Sequence, residues 1–248
     1  MDGAKMRIID GHVHIGNNKQ TKYYTLREMW RDLHEADADG ACIFAFPEDM
    51  YRTVDLTEAR IRANAYVLDV SKTSDDVYPF YFVWNDYLLP ENLDEYRGIK
   101  WHRHADEPRY DYDDPKCVKM LERITDLKLP VLLEEEFANT QLFVERNPEV
   151  TVIIPHMGQA NGGTDRMRVF FVNPQIYFDT SVAPLEAIQY VLHHVGATRV
   201  IFGTDVSGTR MPFFNFPKVE LAKLRQLDLD DASMRLIVAG NIERLVNK

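Results

Sequence analysis

The sequence predicts one closed (β/α)8 barrel, a TIM barrel, as a single domain over residues 1–248. Three observations point there. Eight short apolar runs recur along the chain, amphipathic helical stretches separate most of them, and 248 residues is the length of a typical barrel of this kind.

The runs are Arg7–Asp10, Gly40–Phe46, Val77–Trp84, Gly98–Trp101, Pro130–Leu133, Val150–Pro155, Gln175–Phe178 and Arg199–Phe202. Most are rich in β-branched or aromatic residues, as parallel strands covered on both faces are. Between them, Thr25–Ala36 carries Leu26, Met29, Trp30 and Leu33 at helical spacing. Asp114–Leu127 does the same with Val118, Leu121, Ile124 and Leu127, and Pro184–Val195 with Leu185, Ile188, Val191 and Leu192. The rival architecture is an open doubly wound sheet. Its usual nucleotide signatures, Gly-x-Gly-x-x-Gly after an early strand or Gly-x-x-x-x-Gly-Lys, do not occur. In a barrel the polar stretches Asn17–Tyr24, Arg103–Asp114 and Asn161–Asp165 fall on the C-terminal face, where active sites form.

A net charge of −10 argues against a nucleic-acid partner, because a phosphate backbone wants a basic face. No apolar stretch approaches the about 20 residues that span a bilayer, and the first residues lack the apolar core of a signal peptide. Two cysteines, Cys42 and Cys117, suit a reducing compartment as buried thiols. A cytoplasmic protein with a small-molecule substrate is expected, and self-association into a homo-oligomer is left open.

The chemistry-bearing residues sit at the ends of the runs. In Asp10-Gly-His-Val-His-Ile-Gly16, histidines at alternate positions of a strand face one side, about 7 Å apart. His12 and His14 can therefore converge on one cation, with Val13 turned to the helix layer; two ordinary polar residues at a strand end are the alternative. His156 follows the run Val152-Ile-Ile-Pro and falls at the same rim, either in a site or satisfied by a backbone partner. Asp205 ends Arg199-Val-Ile-Phe-Gly-Thr, where it can ligate a metal, take a proton from its water, or simply cap a helix. His102 and Arg103, closing the fourth run, are candidate substrate contacts, and Lys100 shares a strand face with His102. Trp84, Tyr87, Trp101, Phe213 and Phe214 can line an apolar pocket, although most aromatic residues are core.

Taken together, "IIDGHVHIG", "PVLLE", "IIPHMG", "IYFDTSVAPLEAIQYVLHHVGATRVIFGTDVSG" and "VAGNIERLV" resemble the amidohydrolase-related superfamily. The branch is that of aminocarboxymuconate-semialdehyde decarboxylase and similar metal-dependent hydrolases. The resemblance runs nearly end to end, with residues 40–110 matching only in pattern. It implies that His12 and His14 are first-strand metal ligands, that Asp205 binds metal and handles protons, and that His156 positions or polarises the substrate. It implies a divalent metal, zinc first, with manganese or iron as alternatives.

The departure lies at the fifth strand, where the family usually has a histidine and this chain has Glu134; glutamate also ligates such metals. Glu136 shares its strand parity and is the alternative ligand, while Glu135 should face outward. With Glu134 as a ligand, two histidines and two carboxylates around a dication leave no net charge, a weaker lure for anions. The leading reading is a hydrolase that uses a metal-activated water on a small ester, amide or lactone, with Asp205 and His156 catalytic. The alternatives are a metal-dependent decarboxylase of an unsaturated or aromatic carboxylic acid, and an inactive barrel acting as a binding protein.

Overall fold

The eight apolar runs become eight parallel strands that close almost completely into a barrel. They are β1 (Ile9–His14), β2 (Gly40–Phe44), β3 (Val77–Phe82), β4 (Gly98–His102), β5 (Val131–Glu134), β6 (Val152–Ile154), β7 (Ile176–Asp179) and β8 (Val200–Ile201), hydrogen-bonded in that order. The computed structural model describes residues 5–17, 23–51, 56–103, 107–206 and 215–247. Phe213 and Phe214 lie outside them, as does most of the stretch from Asn17 to Tyr24. Gly16–Asn17 and Tyr23–Tyr24 form a short antiparallel ribbon at the mouth of the barrel.

The seam between β8 and β1 is closed beyond the two-residue strand itself. Gly11 N donates to Phe202 O at 2.9 Å, Asp205 N to His12 O at 2.8 Å, and His14 N to Val206 O at 3.1 Å. The segment carrying Asp205 thus runs beside the segment carrying the two histidines. A bulge in β1, between Asp10 and Val13 in the register with β2, sets the face on which His12 and His14 appear.

Strand alternation sorts the core into two layers. Outward residues such as Val13, Ile43, Ile99, Trp101, Leu133, Ile154 and Phe178 pack under the helices. Inward residues, among them Ile9, Cys42, Phe44, Phe80, Leu132, Ile153 and Ile201, fill the barrel, and Ile242 and Val246 pack against them from the C-terminal helix Asn241–Val246. The apolar floor leaves the inner positions nearest the C-terminal ends of the strands to polar groups, where a TIM barrel places its active site. The three expected helices appear as Leu26–Glu35, Pro115–Asp126 and Leu185–Val195. Thr25 and Glu28 form a capping box on the first, which explains its start.

Two connections are not α-helical. After β3 the described chain has a 3-10 turn at Leu93–Glu95, and after β6 it has Pro155–Gly158 and Thr164–Phe170. Trp101 is core: it is fully buried, with Tyr110 at 4.3 Å and Phe143 at 5.1 Å between ring centroids. Both cysteines are free and buried. Among the described residues, no helix is long and apolar enough to cross a membrane.

Candidate metal centre

His12 and His14 leave β1 on its inner face, and both rings turn to Asp205. His12 Nε2 lies 3.3 Å and His14 Nε2 3.2 Å from the same oxygen, Asp205 Oδ1. The opposite nitrogens are already engaged. His12 Nδ1 lies 2.7 Å from Asp179 Oδ2, and His14 Nδ1 lies 2.9 Å from the carbonyl oxygen of Ala45. A carbonyl oxygen only accepts, so His14 carries its proton on Nδ1 and presents a lone pair at Nε2. The Asp179 carboxylate asks the same of His12. Two nitrogen lone pairs and a carboxylate oxygen then face one another, and only a positive charge reconciles them.

That donor set is the test of fit for a metal, and it passes. His12 Nε2 is buried with no hydrogen-bond partner. The ligand atoms of His12, His14 and Asp205 lie within 4.8 Å of one another. Each histidine is oriented through its far nitrogen, as metal-binding imidazoles are. Asp205 is held at φ 57°, a left-handed conformation uncommon outside glycine, by its N–H bond to His12 O. Burial works against its charge, yet a proton on His12 or His14 Nε2, standing where the charge of a metal would, holds its carboxyl well below the usual range. Burial pushes the His14 imidazole down. Burial opposes charge on His12 as well, but Asp179 outweighs it and raises the His12 value.

Asp179, at the end of β7, organises the wall beside this centre. Besides His12, it accepts the backbone N–H groups of His156 at 2.9 Å and Ser181 at 3.0 Å. These bonds occupy its oxygens, so the second buried group of possible ligands, His12, His156 and Asp179, reads as a hydrogen-bond network. His156 follows β6 at φ 55° and Met157 at φ 52°, a tight turn that swings the imidazole inward. His156 Nδ1 lies 3.0 Å from Ser181 O and 2.9 Å from Ser181 Oγ, which also approaches His12 Nδ1 at 3.3 Å. Burial penalises charge on His156. The Glu134 carboxylate, 3.8 Å from its Nε2, and Asp179 overcome that and push it up to about 9.

Across the cavity, β4 and β5 contribute Lys100, His102 and Glu134, all on the inner face. Their register pairs Lys100 with Leu132 and His102 with Glu134. Lys100 is fully buried and donates to Glu134 Oε2 at 2.9 Å. His102 Nε2 lies 3.7 Å from Glu134 Oε1, and its Nδ1 3.2 Å from Glu107. Glu134 thus occupies the inner position that strand parity predicts, with Lys100 as an ion-pair partner, and belongs to neither group of possible ligands. Glu135 is buried away from the cavity, and Arg103 is committed to the same outer cluster. Arg103 Nη1 bonds Glu136 Oε2 at 2.9 Å and approaches Glu135 Oε2 at 3.5 Å. Of the two expected substrate contacts, His102 faces the cavity and Arg103 ties the end of β5 to the loop after β4.

Sequence reasoning missed Asp179, Ser181 and the pairing of Lys100 with Glu134. Asp179 was visible as an acidic residue ending the run Ile176-Tyr-Phe, the same signal that marked Asp205. Asp10 was also passed over. It accepts from His12 N and Thr204 N, both at 3.1 Å, and from Thr204 Oγ1 at 2.6 Å, pinning the segment of His12 and His14 to that of Asp205.

A sequence profile of the amidohydrolase family matches residues 9–248. No curated protein matches the sequence. Among solved structures, the chain is similar to 5-carboxyvanillate decarboxylase from Sphingomonas paucimobilis, with a TM-score of 0.75 at 12 % identity over 98 % of this chain and 99 % of that one. It is similar to a probable 2-pyrone-4,6-dicarboxylic acid hydrolase from Acinetobacter baumannii with citric acid bound, with a TM-score of 0.74 at 14 % identity over 98 % and 100 %. A dihydroxybenzoic acid decarboxylase from Polaromonas sp. JS666, with bound manganese and the inhibitor 2-nitroresorcinol, gives a TM-score of 0.71 at 13 % identity over 98 % and 97 %. At such identities the likeness speaks for the fold alone. The family match is of another kind, since it runs over nearly the whole chain: the protein belongs to the amidohydrolase family.

Proposed function

We propose that the protein is a metal-dependent hydrolase of a small ester, amide or lactone, with a divalent ion held by His12, His14 and Asp205. The observation that carries this reading is the convergence of two imidazole Nε2 atoms on one Asp205 oxygen, with both Nδ1 atoms already engaged. Zinc suits two imidazoles and a carboxylate, and manganese or iron is the alternative. An ion there supplies Lewis acidity, polarising a substrate oxygen and making a water acidic enough to attack near neutral pH.

The chain's own groups do the rest. Asp205, held ionised, is the proton acceptor at the mouth of the last strand. His156, kept charged by Glu134 and Asp179, donates from Nε2 to oxygen as negative charge develops there. Phe44 forms the dry floor, its ring 5.1 Å from His12 and 4.7 Å from His14 between centroids. His102 faces the substrate from the far wall. Pairing with Lys100 removes Glu134 from the charge count, so a dication against one carboxylate leaves a net +1, which draws an anionic substrate.

That charge gives weight to a second reading, decarboxylation of an unsaturated or aromatic carboxylic acid, the class named for two of the similar structures. Metal content of the purified protein, with His12→Ala and His14→Ala as controls, tests the ion. A panel of carboxylate-bearing lactones, esters and aromatic acids, followed both for hydrolysis and for carbon dioxide release, separates the two reactions. Hydrolysis without carbon dioxide supports the first reading, and carbon dioxide release alone overturns it in favour of the second.

A further inference from the structure

Lys100 takes no part in the proposed proton transfers, and its placement is unusual. It sits inside the barrel with no solvent exposure, its Nζ 2.9 Å from Glu134 Oε2 and 5.1 Å from the centroid of Phe44. Phe44 touches both candidate metal-binding histidines, so the Lys100 charge lies one ring away from each of them. A buried ammonium is tolerated only against an anion, and Glu134 is the anion placed for it by the strand register. Glu134 is also the carboxylate best placed to join a metal centre from β5.

We propose that Lys100 is a tethered cation that competes with the metal for Glu134. It holds that carboxylate out of the coordination sphere, confines the divalent ion to His12, His14 and Asp205, and limits the affinity of the site. This rests on the metal-centre reading above. One carboxylate cannot serve both partners at full strength: an oxygen 2.9 Å from an ammonium has its charge largely spent there. Removing the ammonium leaves a buried anion with the His102 and His156 rings at 3.7 and 3.8 Å, and a divalent ion in the same cavity is a stronger partner for it than either imidazole.

The test is a cycle of variants read by metal affinity, with Zn2+ and Mn2+ as probes in calorimetric titrations of the stripped protein. Lys100→Met should tighten binding by about tenfold or more, the scale on which neighbours of a metal site act. Glu134→Gln leaves the Lys100 ammonium unpaired beside the site and should weaken binding, a loss that the second substitution reverses. The double variant, an uncharged pair that keeps the barrel packed if the single variants fold poorly, should bind like the parent. The inference is overturned if Lys100→Met leaves affinity unchanged, or if the double variant loses metal as His14→Ala does. If His12→Ala and His14→Ala both keep full affinity, the metal centre itself is misplaced, a failure distinct from that of Lys100.

Discussion

Asp179 Oδ2 lies 2.7 Å from His12 Nδ1, joining the end of β7 to the middle of β1 through a fully buried contact. The same carboxylate accepts from His156 N and Ser181 N, so one side chain fixes the His12 ring and the strained turn that carries His156. Asp179→Asn keeps the shape but offers one acceptor oxygen where two are used. Its amide N–H must then confront either the His12 Nδ1 proton or two backbone donors. Metal affinity should fall by about 10- to 100-fold, the usual cost of losing such an orienting partner. Titration of the stripped variant with Zn2+ checks this, and affinity equal to the parent would show that His12 is oriented by its packing.

How much of this was legible beforehand depended on the reach of each signal. The barrel was legible because period and length are local: a run such as Val131–Leu133 declares a buried strand by itself. His12, His14 and His156 were legible because each ends such a run. The role of Glu134 was not. Strand parity placed it correctly on the inner face, but the ion pair with Lys100 depends on the stagger between β4 and β5, which no single segment reveals. The partners of Arg103 were hidden for a related reason: its charge looked available in sequence, yet the chain turns at the end of β4 and brings it to Glu135 and Glu136.

Asp205 sits where both histidine Nε2 atoms point, and its pKa is held low, so it is ionised throughout the neutral range. Asp205→Asn removes the negative charge and the proton acceptor while keeping an oxygen in place. Measured at saturating metal, turnover should drop by roughly 100-fold or more. Metal content followed in parallel separates loss of ion from loss of base. Unchanged turnover would mean that the last strand does not supply the base.

His156 makes contrasting demands on the two measurements. Its Nδ1 is committed to Ser181, and its Nε2 faces the cavity beside Glu134. His156→Ala should cut turnover by about 100-fold or more while metal content stays within about twofold, as expected for a group that donates to substrate. Equal losses of both would move His156 into the coordination sphere.

The last expectation concerns the seam that brings Asp205 to the histidines. Gly11 lies between Asp10 and His12, and its N–H bonds Phe202 O across the closure of β1 with β8. A Cβ added there would stand 2.7 Å from Ile201 Cγ2 and 2.9 Å from Phe202 O. The Ile201 methyl can turn aside, but the Phe202 oxygen is backbone and is held by the very bond that Gly11 donates. Gly11→Ala must therefore push β1 and β8 apart. Overpacking of this kind costs about 1–3 kcal/mol, which for a chain of this size lowers Tm by roughly 2–4 °C per kcal/mol. Because the same seam sets Asp205 against His12 and His14, the variant should also bind Zn2+ more weakly than an equally destabilised variant on the outward face of β5, such as Val131→Ala. Thermal unfolding and metal titration of the two variants side by side make the comparison. A Gly11→Ala protein that melted and bound metal like the parent would show that the barrel closure is loose enough to absorb a methyl group, and that the geometry of the centre does not depend on it.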